Sequence, residues 1–184
     1  LLSAVLAVIL LGGCVAVKPA KQTVATATVL FTVVLSGEIV QQGEAVGLIV
    51  SIDGQPNEPG WQIAFPANAR VPGHYTSFLV RLELPAGVHK VSRLSAMVKG
   101  NAAAAPIEIE PDMSFEARAN AADYLGRIEV SSPSRAVLTD AYQSDFPELA
   151  RAWPALRKRK VGRRTPPSEV ALALRPSSAV TPPA

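Results

Sequence analysis

Short stretches in which apolar and polar residues alternate recur along most of this chain, and they limit its fold more than any other feature. In ATATVLFTVVL, residues 25–35, every second side chain is apolar, and the side chains between them include three threonines. A period of two with many β-branched residues is typical of a β-strand. The stretch therefore predicts a strand with one buried face.

The same kind of pattern predicts further strands, separated by turn-forming pairs such as Asp53-Gly54 and Pro72-Gly73. These strands are expected at residues 46–52, 61–65, 77–84, 88–97, 106–109, 114–117 and 124–130. Short strands at this spacing predict a mainly β fold, an antiparallel β-sandwich. The sequence Pro85-Ala86-Gly87 has the length of a hairpin loop and places Gly87 where a left-handed conformation is needed.

One short C-terminal helix is expected to close the sandwich. Ser144 or Asp145 could cap a helix that runs to Trp153, and Pro154 would end it. Phe146, Leu149 and Trp153 fall on one helical stripe, so we expect this stripe to dock onto the sheet.

The composition changes after this helix, which predicts a domain boundary. Residues 24–156 are expected to form the sandwich domain, and residues 157–184 a basic, proline-rich, disordered tail. Residues 15–150 hold 10 basic and 14 acidic side chains, whereas residues 151–184 hold 8 basic and 1 acidic side chain. The net charge of +3 therefore belongs to the C-terminal segment.

The run RKRKVGRR, residues 157–164, is a possible anion-binding segment. Its six basic side chains are Arg157, Lys158, Arg159, Lys160, Arg163 and Arg164. Lipid phosphates, lipopolysaccharide and peptidoglycan carboxylates of a cell envelope are the expected counterparts, with another envelope protein as the alternative partner. Nucleic acid is not an expected partner. The alternative is a solvated tail that has no specific partner.

The sequence offers little for catalysis, so the protein is not expected to be an enzyme, and no cofactor or metal is expected. His74 and His89 are the only histidines, and no nucleophile elbow, P-loop or zinc-protease motif is present. A calcium site at Asp140, Asp145 and Glu148 is disfavoured, because carboxylates are common at a helix start.

Aromatic side chains could form a sugar-binding platform only if they were exposed together. Four of them lie in or beside predicted strands: Trp61, Phe65, Tyr75 and Phe78. Aromatic residues at strand positions more often pack in a core, which is the expectation for this group.

The first thirteen residues, LLSAVLAVILLGG, are uncharged and shorter than a membrane-spanning helix, so they read as part of a signal peptide. No basic segment or initiating Met precedes them, and we expect the precursor to begin a few residues earlier. The following Leu11-Gly12-Gly13-Cys14 resembles the lipobox of bacterial lipoproteins. The alternatives are a plain cleaved signal and an uncleaved anchor.

The lipobox resemblance implies that Cys14 becomes a lipidated N-terminus and that residues 14–23 form a tether. Two or more acyl chains, palmitate among them, give stable membrane anchoring. In the sorting rule of this family an aspartate after the cysteine retains the protein in the inner membrane, whereas Val15 follows Cys14 here. The resemblance therefore implies the periplasmic face of an outer membrane.

A second resemblance concerns the folded domain. RLELPAGVHKV at 81–91 and YLGRIEV at 124–130 are similar to strands of uncharacterised bacterial lipoproteins with a transthyretin-like or carboxypeptidase-regulatory-like sandwich. TDAYQSDFPELARAWPAL at 139–156 is similar to the acidic segment and closing helix of the same group. The expected function is a non-enzymatic binding or structural module on a membrane. The alternatives are an electrostatic tether through the basic run, and an enzyme with an unrecognised site.

Overall fold

The computed structural model describes residues 25–41, 43–53, 60–99, 107–165 and 169–172. Within these residues the chain forms two sheets that pack face to face, which confirms the predicted mainly β sandwich. The predicted signal segment at residues 1–13, Cys14, the tether up to residue 23 and the end of the tail after residue 172 lie outside the described residues. None of the described helices has the length and apolar character needed to cross a membrane.

The elements follow one another in this order: β1 (Thr26–Ser36), α1 (Glu38–Gln41), β2 (Glu44–Ile52), β3 (Trp61–Pro66), β4 (Ala69–Val71), β5 (Tyr75–Pro85), β6 (Gly87–Lys99), β7 (Ile107–Ile109), β8 (Met113–Ala117), β9 (Ala122–Ser132), β10 (Arg135–Thr139), α2 (Tyr142–Ala152), a 3-10 helix (Pro154–Lys158), β11 (Val161–Arg163) and β12 (Val170–Ala171).

One sheet has seven strands in the order β12-β10-β9-β1-β5-β4, with β11 pairing β9 beside β10. The other has five strands in the order β3-β2-β6-β7, with β8 also pairing β6. Most pairs are antiparallel, as expected, whereas β9 runs parallel to both β1 and β11. Strand β1 therefore lies in the interior of the larger sheet, between β5 and β9.

The main core fills the space between the two sheets. Its largest buried side chains come from alternate positions of the strands, for example Phe31 and Phe78 from the larger sheet and Leu48 and Leu94 from the smaller one. Each of these side chains is 0% exposed, and burying one such side chain contributes roughly 1.5–3 kcal/mol of transfer free energy. This core fixes which side chains of the larger sheet point outward.

A second, smaller core covers the outer face of the seven-stranded sheet. Leu30, Tyr124, Leu149 and Leu156 are buried in it, and helix α2 with the 3-10 helix forms its lid. The prediction that β1 has one buried face is therefore wrong, because Leu30 lies on the opposite face from Phe31 and is also 0% exposed. Both faces of β1 are covered, so apolar residues such as Leu30 also lie between the residues of the alternating apolar set.

Helix α2 forms where it was expected. Leu149 is buried against the sheet, and Phe146 and Trp153 pack beside it, so the predicted docking stripe is confirmed. The predicted caps are wrong, because Ala141 occupies the N-cap position and no side chain caps the helix. Ser144 and Asp145 lie inside the first turns and contact Arg127 instead.

The turn at Pro85-Ala86-Gly87 is not a hairpin loop. Strand β5 ends at Pro85 in the seven-stranded sheet, and β6 begins at Gly87 in the five-stranded sheet. The turn therefore carries the chain from one sheet to the other. Gly87 does have a positive φ of 150°, which explains why a glycine is suited to this position.

The domain boundary predicted at Leu156 is also wrong. Residues 157–165 continue across the larger sheet, with β11 paired in parallel to β9, and β12 pairs with β10. Gly162 lies against the side chains of Arg118 and Asp123, where an added Cβ would meet both. The basic run is thus partly a structural element of the sandwich.

Candidate functional site: a polar cleft beside helix α2

A cleft of about 400 Å³ lies on the outer face of the seven-stranded sheet, next to the first turns of α2. We call it the α2 cleft. Strands β1, β5 and β9 provide its floor, and α2 provides one wall. It is lined by Thr32, Val34, Asn68, Ala69, Tyr75, Ser77, Leu79, Arg127, Ser144, Asp145 and Glu148.

Strand register brings the floor residues together. Thr32 of β1 is directly opposite Leu79 of β5 on one side and Arg127 of β9 on the other. Val34 is opposite Ser77 in the same way. Because directly opposed residues share a face of a sheet, these side chains form one continuous surface. Leu149 and Leu156 cover the neighbouring part of that surface, so the cleft begins where the lid ends.

Thr32 lies at the floor of the cleft with an unsatisfied hydroxyl. The residue is 3% exposed, and its Oγ1 is buried without a hydrogen-bond partner among the described residues. A buried hydroxyl without a partner costs free energy, typically about 1–3 kcal/mol. Such a group is suited to a bound ligand that supplies the missing partner.

The wall of the cleft is held by a buried hydrogen-bond network. Asp145 is 4% exposed, and its Oδ2 accepts a hydrogen bond of 2.6 Å from the hydroxyl of Tyr124. Its Oδ1 forms an ion pair with Arg127, whose guanidinium also donates to Oγ of Ser144 at 2.9 Å. The network joins α2 to β9 and fixes the orientation of the polar atoms along one side of the cleft.

The network shifts the pKa values of Tyr124 and Arg127 further away from neutral pH. Burial raises the pKa of Tyr124, and the hydrogen bond and negative charge of Asp145 raise it further, so the phenol stays protonated. Burial alone would lower the pKa of Arg127, but its hydrogen bond and charge interaction with Asp145 outweigh this effect and raise it. Neither group is suited to proton transfer near neutral pH.

The remaining carboxylate of the cleft is also paired. Glu148 accepts hydrogen bonds of 2.6 and 2.7 Å from Nη1 of Arg151, one turn further along α2. The ion pairs Arg127–Asp145 and Glu148–Arg151 therefore balance the formal charges around the cleft. Its chemistry is that of hydroxyls, an amide, neutralised ion pairs and apolar side chains.

The carboxylates considered for calcium do not form a common site. Asp140 pairs with Arg163, Asp145 with Arg127, and Glu148 with Arg151. No group of three metal-ligating side chains occurs among the described residues.

The two histidines lie apart from the cleft. His74 is exposed in the turn between β4 and β5. His89 is 8% exposed, and its ring nitrogens contact Oδ2 of Asp53 at 2.6 Å and the carbonyl oxygen of Pro85 at 2.9 Å. Both partners of His89 are acceptors, so the arrangement is fully satisfied when both ring nitrogens carry a proton. His89 therefore ties the sheet-crossing turn to the end of β2.

The four aromatic residues considered for a platform are divided between the sheets. Phe78 is fully buried and Phe65 is 9% exposed, as expected for core residues. Trp61 is half exposed on β3 of the smaller sheet, whereas Tyr75 is 38% exposed at the α2 cleft on the larger sheet. They do not form a common surface.

The six basic residues of the predicted anion-binding segment fall into two groups. Arg159 donates to Oγ1 of Thr28 at 3.0 Å, Arg163 pairs with Asp140, and Arg164 pairs with Glu116 at 3.0 Å. The other three, Arg157, Lys158 and Lys160, are exposed, and no acceptor contacts them among the described residues. Arg163 and Arg164 are thus paired with carboxylates, whereas Arg159 is held by a neutral hydroxyl and the second group has no partner among the described residues.

Sequence reasoning missed the cleft itself. Arg127 was visible as a charged residue inside the strand YLGRIEV, and Thr32 as one polar residue inside VLFTVVL. A polar or charged residue at a strand position is the signal that could have singled them out. Their proximity could not be read from the sequence, because it depends on the parallel pairing of β1 with β9.

Comparisons with known proteins leave the identity of the chain open. No protein family and no curated protein matches it. Among solved structures, a leucine-rich repeat protein from Bacteroides thetaiotaomicron VPI-5482 is similar over 72% of this chain at 18% sequence identity. The chain spans 16% of the length of that protein, and the TM-score is 0.37, which is too low to support any inference.

Proposed function

We propose that this protein is a non-enzymatic binding module, anchored by a lipid on Cys14 at the surface of a cell-envelope membrane. The apolar leader and the Leu11-Gly12-Gly13-Cys14 sequence support the anchor. The α2 cleft supports the binding role, and the single observation that carries it is the buried, unpartnered hydroxyl of Thr32 at the cleft floor.

The fixed state of the titratable groups favours binding over catalysis. Asp145, Arg127 and Tyr124 are joined to one another, and the pKa of Tyr124 is raised well away from neutral pH. General acid–base catalysis needs a group that changes protonation near the working pH. The groups at the cleft are instead arranged to hold a ligand without reacting with it.

The second candidate is an electrostatic tether through the basic run, and it is supported by the three free cations Arg157, Lys158 and Lys160. Each basic residue close to an anionic membrane contributes about 1 kcal/mol. The run attracts a membrane less strongly than six free basic residues would, because Arg163 and Arg164 already pair with carboxylates of the sandwich. The cleft is therefore the preferred binding site.

A photocrosslinking experiment in isolated bacterial envelopes tests the proposal. A photoreactive phenylalanine replaces Tyr75 at the cleft in the full chain, and in a control it replaces Val88, which is 78% exposed on β6 of the smaller sheet. Both proteins are irradiated at low and at moderate salt. The proposal predicts a discrete product from position 75, unchanged by salt, and none from position 88.

The opposite result favours the tether. If crosslinking at position 75 is absent, and envelope association of a Cys14→Ala protein disappears at moderate salt or after Arg157, Lys158 and Lys160 are replaced by Gln, the cleft is not the recognition site. Salt sensitivity is decisive here because screening shortens the reach of exposed charges but leaves buried contacts largely intact.

A further inference from the structure

We propose that the α2 cleft binds a neutral, hydroxyl-rich small molecule, of the size of a mono- or disaccharide. This inference rests on the proposed function, because it names the class of ligand for the same site. A volume of about 400 Å³ falls within the usual range of small-molecule sites. The cleft is thus large enough for one or two sugar rings but not for a polymer along its length.

The charge arrangement of the cleft selects against ionic ligands. An anion near the wall would face the carboxylates of Asp145 and Glu148, whose own arginine partners are already engaged. A cation would have to compete with Arg127 or Arg151 for the same carboxylates. A neutral ligand avoids both costs, since it leaves the two ion pairs intact.

The polar groups of the cleft match the hydroxyl groups of a sugar. Each ligand hydroxyl can donate one hydrogen bond and accept others, so it needs both kinds of partner nearby. Thr32 and Ser144 offer hydroxyls, Asn68 offers an amide, and Glu148 offers carboxylate oxygens. Ser144 and Glu148 also have partners within the protein, so Thr32 is the group that a purely apolar ligand would leave unpaired.

Apolar surface lies next to the polar groups, as sugar C–H faces require. Val34 and Leu79 line the floor beside Thr32, and the ring of Tyr75 lies in the lining with 38% of its surface exposed. An exposed aromatic ring at a cleft can cover one face of a pyranose, with its hydroxyl in contact with water.

Substitution of Thr32 gives the sharpest test, because loss of its hydroxyl should affect the stability of the free protein and the binding of the ligand differently. In the free protein its buried hydroxyl has no partner, so the shape-matched Thr32→Val substitution should leave the free energy of unfolding unchanged or raise it. In the complex the same hydroxyl gains a partner, so the substitution should weaken binding about fivefold or more. Thr26→Val is the matched control on β1, exposed and away from the cleft.

The experiment measures binding to the full chain by NMR titration in a zwitterionic, sugar-free detergent, since alkyl-glycoside detergents would compete for the cleft. The probes are glucose, N-acetylglucosamine and maltose, with glucosamine and glucuronate as charged counterparts. We expect at least one neutral probe to shift the signals of residues that line the cleft, with binding at least tenfold tighter than its charged counterpart. Thr32→Val should weaken this binding, and Thr26→Val should not.

Other outcomes overturn the ligand class. If a charged probe binds the cleft more tightly than every neutral probe, or if Thr32→Val leaves neutral binding unchanged, the inference is wrong. If no sugar binds while the photoreactive residue at position 75 still captures envelope material, the ligand class is wrong and the proposed function stands. If position 75 also captures nothing, both fail.

Discussion

The hydroxyl of Tyr124 donates a hydrogen bond of 2.6 Å to Oδ2 of Asp145, and this bond joins strand β9 to helix α2 beneath the surface. Tyr124 is 0% exposed and Asp145 is 4% exposed. Because Asp145 is also paired with Arg127, one buried carboxylate positions both the lid of the second core and the wall of the α2 cleft. The stability of the fold and the shape of the site therefore depend on the same contact.

Replacing Tyr124 by Phe should lower the free energy of unfolding by about 1.5–3 kcal/mol, because a hydrogen bond to a buried charged group is lost while the ring remains. Urea denaturation of the full chain measures the change. Tyr142→Phe is the control, since that ring stacks on Phe146 and its hydroxyl forms no hydrogen bond among the described residues. Equal losses of unfolding free energy in the two variants would show that the hydrogen bond from Tyr124 to Asp145 does not stabilise the protein.

Gly162→Ala should destabilise the protein by about 1–3 kcal/mol, because the segment after Leu156 packs directly on the sheet. An added Cβ would come within 2.8 Å of Nη2 of Arg118 and closer still to Oδ1 of Asp123. The melting temperature and urea midpoint measure this loss. Lys160→Ala, at an exposed position two residues earlier, should have no effect beyond about 0.5 kcal/mol. Unchanged stability of Gly162→Ala would show that the segment after Leu156 does not pack on the sheet.

The interaction of His89 with Asp53 should stabilise the protein more at low pH than at high pH. Burial lowers the pKa of His89, but the hydrogen bond with Asp53, the contact with the Pro85 carbonyl and the charge of Asp53 outweigh burial and raise it above 6.5. Since the folded state binds this proton more tightly, the contribution is complete below pH 6.5 and is lost as pH rises through the folded-state pKa.

Urea denaturation of the wild type and of Asp53→Asn at several pH values tests this dependence. The difference in unfolding free energy between the two proteins should be larger at pH 5.5 than at pH 9. The Asn side chain retains an acceptor for the backbone N–H of Lys90, so the comparison isolates the effect on His89. A difference that grows with pH would contradict the assigned contact.

The two groups of basic residues should have separable effects. In a Cys14→Ala background, the replacement of Arg157, Lys158 and Lys160 by Gln should remove most of the salt-sensitive binding to phosphatidylglycerol vesicles without loss of stability. Arg159→Gln should instead lower the free energy of unfolding by about 1 kcal/mol, because it breaks the bond to Thr28. Vesicle sedimentation measures the binding and urea denaturation measures the stability. Loss of stability in the triple variant, or loss of vesicle binding in Arg159→Gln without loss of stability, would contradict these assignments.

Alternation along the strands was sufficient to predict the mainly β sandwich and the positions of its longer strands. The apolar stripe of Phe146, Leu149 and Trp153 was likewise sufficient to predict the docking of α2. These features are local, because the spacing of apolar side chains in one segment determines which of its sides is buried. Short strands such as β4, β11 and β12 lack enough residues to show a period, and they were missed.

The parts that the sequence did not predict depend on contacts between distant segments. The turn at Pro85-Ala86-Gly87 has the residues of a hairpin, and only the pairing of β5 and β6 with different partners shows that it joins two sheets. The cleft requires Thr32 and Arg127 to meet across a parallel pair, which no local pattern encodes. The run after Leu156 has the composition of a tail, yet Gly162 fits closely against Asp123.

Lipidation of Cys14 is the feature on which the proposed membrane anchoring depends most directly, and mass spectrometry of the protein purified from bacterial envelopes tests it. We predict an N-terminal peptide that begins at Cys14 and carries diacylglyceryl and acyl groups, and membrane association that is lost in Cys14→Ala. A peptide with an unmodified Cys14, or equal membrane association of the wild type and Cys14→Ala, would contradict the proposed lipid anchor.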